Sequence, residues 1–197
     1  MPVIAITGSL CSGKSTVLRL LRRKGAGIFN SDDIVHTYYL DKHSLVYRRV
    51  KSNFPKAFNK EGRLIRKRLA KMVFSDPDSL KKLESIVHPF IIRDLKRWVR
   101  EKRREKGVFV AEVPLLFEKK LETLFDKVIL VHISKRILWK RIKQRFGLSQ
   151  YAAEKRLKLF LPFRERRRRS HFVIRNDYSK NVLKKNIDLI WNELKRG

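Results

Sequence analysis

The segment "ITGSLCSGKSTVLRLL", residues 6–21, sets Gly8 and Gly13 around Ser-Leu-Cys-Ser and follows them with Lys14, Ser15 and Thr16. This is the pattern G-x-x-x-x-G-K-[ST], a phosphate-binding loop. The chemistry depends on the residue type at each place. Gly8 and Gly13 can take φ > 0 and leave room for backbone N–H groups, through Cys11 and Ser12, to wrap a phosphate. Lys14 can reach β- and γ-phosphates, and the Ser15 hydroxyl can sit on Mg²⁺. Thr16 continues the start of a helix, where unpaired N–H groups and the helix dipole attract anions. ATP and Mg²⁺ are the cofactors this loop calls for. Cys11 reads as a small residue lining the loop rather than as a redox centre.

Phosphoryl transfer to a hydroxyl also needs a carboxylate to accept or orient the proton. "NSDD" at 30–33 offers Asp32 or Asp33, although Ser31, Asp32 and Asp33 equally suit a helix N-cap. Glu112 can hold Mg²⁺ through water or serve as a structural acid. Arg141 and Arg145 stand four apart on one helix face. His88, beside Pro89, either contacts a substrate or caps a helix.

These groups need a scaffold that brings them to one edge. "PVIAIT" at 2–7 reads as a buried strand and 16–23 as a helix packed on it. "GAGIF" at 25–29 leads into a second strand, with a helix starting over 34–40. Residues 44–104 read as mostly helical, with a stop at "SDPDS" (75–79) and a break or bend at Pro89. "GVFVAEVPLLF" (107–117), "DKVILVHIS" (126–134) and "HFVIRND" (171–177) read as three more strands. A helix over 135–145, the turn "FGLSQ" and a basic helix to about 169 lie between the last two. The final helix carries Val182, Leu183, Ile187, Ile190, Trp191 and Leu194 on one stripe. Alternating strands and helices predict an α/β fold, a five-stranded parallel sheet flanked by helices. Ligands then bind at the carboxyl ends of the strands.

Composition narrows the class. A chain of 197 residues with 43% hydrophobic residues holds one large domain or a core with insertions. Its single cysteine excludes a disulfide framework and points to a reducing, cytoplasmic setting. No apolar run approaches membrane-spanning length, so no membrane partner is expected. The net charge of +30 exceeds what an ATP site needs. Acids are too scarce for the ion-pair networks of thermophiles. The basic runs "RDLKRWVREKRREK" (93–106) and "RERRRR" (164–169) read as solvated helix faces, or as contacts for RNA or another polyanion.

Together the motifs resemble those of the dephospho-coenzyme A kinase family over nearly the whole chain. The resemblance rests on "ITGSLCSGKSTV", "FNSDDIV", "IVHPFI", "VPLLFE" and "FVIRN", in that order. It implies ATP-dependent phosphorylation of the ribose 3′-hydroxyl of dephospho-CoA, in a nucleotide-binding core of residues 1–32, 105–140 and 171–197. It further implies a helical acceptor domain at 33–104 and a lid at 141–170. Within this resemblance Asp32 is the catalytic acid–base group and Arg141 the lid arginine on the phosphates. Asn176 joins the nucleotide site, and His88 and Glu118 join Asp32 on the acceptor. The chain departs from the family pattern at Asn30, where an aspartate is usual, at Ser9 and Cys11 in a less glycine-rich loop, and at Phe160 in place of a glutamine. The other readings are a different small-molecule kinase with the same loop, or a nucleic-acid-associated ATPase. "IVHPFI" and "VPLLFE" speak against the first, and the lack of interleaved aromatics speaks against the second.

Overall fold

Strand β1 (Val3–Thr7) is buried along its whole length, which places it in the middle of a sheet covered on both faces. In the computed structural model, which describes residues 2–147 and 150–196, it is joined by β2 (Gly27–Asn30), β3 (Phe109–Glu112), β4 (Lys127–His132) and β5 (Phe172–Arg175). The order is β2-β3-β1-β4-β5. Strand β1 pairs in parallel with β3 and β4, and β4 with β5. The third and fourth strands are shorter than the apolar runs that contain them. Pro114 has no N–H for a ladder, and beyond Glu112 the chain leaves the strand for a series of turns.

One face of the sheet presents Ile4, Ile6, Val110, Ile129, Val131 and Ile174. Helix α1 (Lys14–Arg23) covers it with Val17, Leu18 and Leu21, and the last helix, α9 (Lys180–Arg196), with Leu183, Ile187, Trp191 and Leu194. The expected stripe on α9 holds except at Val182, which is exposed because it lies at the edge of that face. The opposite face carries Val3, Ala5 and Phe109, and Trp98 packs between Phe109 and Phe29 with ring centroids 6.1 and 5.4 Å away.

The chain divides into two compact units, Met1–Phe29 with Trp98–Gly197, and Asn30–Arg97. The second has its own core, with Val46, Tyr47, Val50, Phe54, Phe58 and Leu69 among its members. Its helices are α2 (Ser31–Leu40), α3 (Leu45–Asn53), α4 (Arg66–Ser75) and the greater part of α5 (Pro77–Lys102). Pro89 does not break α5, which runs through it for 26 residues. One missing N–H is tolerated there because buried Ile86 and Val87 anchor the same turn.

In the first unit, α6 (Lys135–Phe146) is followed by α7 (Gln150–Leu157) and α8 (Phe163–Arg168). The single basic helix expected to about 169 is therefore two helices, with Pro162 at the start of the second. Leu148 and Ser149, inside the expected turn "FGLSQ", lie outside the described residues. Among the described residues no helix is long and apolar enough to cross a membrane.

Candidate active site

The loop between β1 and α1 is shaped by two close approaches. Gly8 has φ +154°, and a Cβ there would stand 2.4 Å from the Val131 carbonyl oxygen. Gly13 has φ +97°, and its Cβ would stand 2.0 Å from Asn176 Nδ2. No other residue fits either place. Cys11 also lies in the left-handed region, at φ +56°, where a side chain costs roughly 1–2 kcal/mol. Its half-buried thiol packs with Leu10 against Ile133, Leu138 and Ile142. That apolar contact offsets the backbone strain.

Helix α1 starts at Lys14, two residues earlier than its apolar spacing suggests, so Lys14 and Ser15 occupy its first turn. Gly13 offers no side-chain cap, and the first turn has no acid. The positive end of the helix is thus left to an anion. The buried Lys14 ammonium donates to the Gly8 and Ser9 carbonyls at 2.9 and 3.1 Å and stands 3.9 Å from Glu112 Oε1. Ser12 Oγ is buried and has no hydrogen-bond partner among the described residues.

Two side chains from distant sequence close the loop from above. Asn176 Nδ2 donates to the Ser12 carbonyl at 2.9 Å. The Arg141 guanidinium donates to the Asn176 carbonyl at 3.2 Å and to the Cys11 carbonyl at 3.4 Å. Gly8, Cys11, Ser12, Gly13, Lys14, Arg141 and Asn176 therefore meet at one place, and Ser15 and Thr16 follow on the same turn. Burial pushes the Cys11 thiol up, against the charges of Arg145, Lys14 and Arg141.

Asp177 ends the run that predicts the fifth strand but lies beyond β5, and no motif marks it as functional. Its Oδ1 accepts the Ser134 N–H at 2.5 Å, and its Oδ2 lies 3.4 Å from Arg175 Nε. Burial alone would raise this carboxyl, but the Ser134 hydrogen bonds and Arg175 hold it below its ordinary range. The contact ties the end of β5 to the start of α6, the helix that carries Arg141. An acid directly after Asn176 at a strand end was the only signal for it. Burial pushes the nearby His132 imidazole down, with Asp177 opposing, and its ring stacks on Phe163 at 3.9 Å.

Glu118 Oε1 accepts the Leu161 N–H at 2.7 Å and so holds the segment between α7 and α8. The run "RERRRR" is not uniformly solvated. Arg166 is buried beside Phe160, and burial lowers its proton affinity while Glu118 opposes. Arg169 pairs with Glu122 and lies over Phe117.

In the second unit Asn30, not Ser31, Asp32 or Asp33, caps α2. Its Oδ1 accepts the Asp32 N–H at 2.9 Å. Asp32 and Asp33 fall in the first turn with exposed carboxylates. His88 lies half-buried inside α5 rather than at either end of that helix.

A family model described as dephospho-CoA kinase matches residues 2–181. A dephospho-CoA kinase of Aquifex aeolicus is 32% identical over 197 residues, 100% of this chain and 99% of that protein. The solved dephospho-CoA kinase of Campylobacter jejuni has a TM-score of 0.72 at 28% identity, over 99% of this chain and 98% of that one. A shikimate kinase of Acinetobacter baumannii has a TM-score of 0.52 at 17% identity, over 98% of this chain and 94% of that one. Likeness at that identity speaks for the fold alone.

Proposed function

The chain belongs to the dephospho-CoA kinase family and phosphorylates dephospho-CoA with ATP to give CoA; we propose that the acceptor is the ribose 3′-hydroxyl and that Lys14, Arg141 and Asp32 carry the transfer. The observation behind this assignment is the convergence of Lys14, Arg141 and Asn176 on a glycine-shaped loop at an uncapped helix N-terminus. Such a site holds phosphates by backbone N–H groups and fixed cations.

Lys14 leaves its own loop carbonyls for the β- and γ-phosphate oxygens. Arg141 takes up charge on the transferred group, where a preorganised donor is most effective. Asp32 accepts the proton of the attacking hydroxyl. Its backbone N–H is taken by Asn30, while its carboxylate stays exposed for the acceptor. We assign His88 to the acceptor as well. Glu118 acts on the acceptor side by ordering the segment at Leu161. We assign residues 1–32, 105–140 and 171–197 to the nucleotide part, 33–104 to the acceptor part and 141–170 to the lid, whereas the compact units divide at Asn30 and Trp98.

Mg²⁺ fits the residues present. Among the described residues no three His, Cys, Asp or Glu side chains group around a metal position. Ser15 offers a hydroxyl and Glu112 a carboxylate acting through water. Magnesium keeps most of its waters and draws other ligands from substrate phosphates, which suits so sparse a donor set. When bound it neutralises charge on the β- and γ-oxygens. The single free cysteine and the use of ATP support a cytoplasmic location. The excess positive charge supports weak contact with RNA or a similar polyanion.

The deciding experiment is steady-state kinetics of Asp32→Asn with dephospho-CoA. Turnover should fall at least about a hundredfold while the KM for ATP changes little. Asp33→Asn should stay near wild type. A loss confined to Asp33→Asn would move the catalytic role by one residue.

A further inference from the structure

The second unit holds a cavity of about 480 Å³ that none of the residues assigned above lines. Among the described residues its cations are Lys42, Arg63 and Arg66, with the His36 imidazole beside them, and no Asp or Glu lines it. The described residues give Arg63 and Arg66 no ion-pair partner, and both are exposed. Lys42 Nζ donates to the Glu61 carbonyl at 3.2 Å. Its apolar walls include Tyr39, Tyr47 and Leu64. Clustered cations without carboxylates repel one another, and an anion removes that cost.

The cavity is held in shape. The buried Tyr47 hydroxyl donates to the Gly62 carbonyl at 2.6 Å. Gly62 sits at φ +77°, and a Cβ there would stand 3.0 Å from that hydroxyl. The Arg63 N–H donates to Asn59 Oδ1 at 2.6 Å, and the Ile65 N–H to the Ala57 carbonyl at 2.8 Å. The turn that carries Arg63 is therefore pinned at both ends, and Arg66 follows at the start of α4.

Helix α2 relates the cavity to the acid. Asp32, His36 and Tyr39 are spaced i, i+4 and i+7, so they share one face. The cavity thus opens about 6 Å, roughly one helical turn, beyond Asp32 along that face. Tyr38 points elsewhere and donates to Asp94, which Arg93 and Arg97 also contact. That anchor fixes the rotation of α2 about its axis.

We propose that this cavity receives the 5′-diphosphate and the adjoining pantetheine arm of the acceptor, with Arg63 and Arg66 on the diphosphate oxygens. The proposal rests on the dephospho-CoA reading given above. The order of groups along α2 matches the substrate: the ribose hydroxyl at Asp32, then two phosphates, then an amide-bearing arm against Tyr39, Tyr47 and Leu64. Arginine is suited to this because its planar fork grips two phosphate oxygens at once. The cavity makes the enzyme selective for a nucleotide that carries a substituted 5′-diphosphate.

The test is the double variant Arg63→Ala/Arg66→Ala, with Arg66→Lys beside it. Both arginines are exposed, and thermal melting checks that the fold is kept. Kinetics should show a tenfold to hundredfold rise in KM for dephospho-CoA, with kcat at saturation and the KM for ATP within about twofold. Calorimetric titration with dephospho-CoA alone should show a matching loss of affinity, part of which Arg66→Lys restores. Unchanged dephospho-CoA affinity in a folded double variant overturns the cavity assignment and leaves the kinase reading intact. An equal fall in kcat with unchanged KM also overturns it. A wild-type protein that does not turn over dephospho-CoA overturns the kinase reading, and the titration still decides the cavity.

Discussion

Arg141 shows why a side chain's partners matter more than its charge. Its guanidinium spans the carbonyls of Cys11 and Asn176, so it is aimed before any phosphate arrives. Preorganised donors of this kind contribute roughly 2.7–4 kcal/mol to a transition state. Arg141→Ala should therefore lower turnover a hundredfold to a thousandfold, about the same range. Arg141→Lys keeps a charge but loses the two-pronged geometry and should recover only part of the rate. Rates at saturating ATP and dephospho-CoA check this. A near-normal Arg141→Ala rate would place the phosphate-side arginine in another segment. Arg145, one turn on, is exposed and lies over Phe146. The spacing of four sets both arginines on one helix face, and only the family resemblance distinguishes Arg141 from Arg145.

The element that carries Arg141 is positioned by a group on another element. Asp177, after β5, accepts from the backbone at the N-cap of α6. Removing it leaves the Ser134 N–H without its partner and frees the helix start. Asp177→Ala should cost about 1–3 kcal/mol of stability and lower turnover through Arg141. The effect should depend on pH in a fixed direction. The folded carboxyl lies below its ordinary value, so its contribution is complete above the unfolded value near pH 4 and fades as pH falls through the folded one. Melting curves of wild type and Asp177→Asn should therefore differ most near neutrality and converge in acid. A gap that is constant from pH 7 to pH 3 would remove the carboxylate from the explanation. The sequence pattern places α6, β1 and α9 within a residue, and α1 within two, because Lys14 and Ser15 of its first turn carry no apolar signal. The clamp was not, because its partners stand 43 residues apart.

Part of the positive charge that gives the molecule its net +30 gathers at one end of the first unit. In a parallel sheet the helix C-termini and strand N-termini lie at the end away from the phosphate loop. In the first unit that end receives Arg22, Arg23 and Lys24 from α1, Arg100, Arg103 and Arg104 from α5 and beyond, and Lys127 from β4. Lys24 pairs with Asp188 and Arg103 with Asp126. Arg22, Arg23, Arg100 and Arg104 make no ion pair among the described residues. If about five phosphates are met there, affinity for a single strand should fall about a hundredfold between 50 and 200 mM salt. Fluorescence anisotropy with a labelled oligouridylate measures this. The triple variant Arg22→Glu/Arg23→Glu/Arg104→Glu should weaken binding and leave kinase turnover unchanged. Salt-independent binding, or none at 50 mM salt, would make the excess charge solvated surface only.

What the sequence alone determined is local or periodic. The phosphate loop is read from eight consecutive residues, because backbone wrapping of a phosphate needs those residue types in that order. The strands are read from short unbroken apolar runs, because a parallel strand is covered on both faces, and the apolar faces of α1 and α9 from spacing, because burial on one side imposes a period of 3.6. Tertiary structure decided whatever depends on contact between distant segments. It set Asn176 and Arg141 on the loop, buried Arg166 within a run that reads as surface, and made Asn30 rather than an acid the cap of α2. It also gathered His36, Arg63 and Arg66 around one cavity. Charge and helix propensity do not say which side chains converge, since that depends on how the elements pack, which no short window of sequence contains.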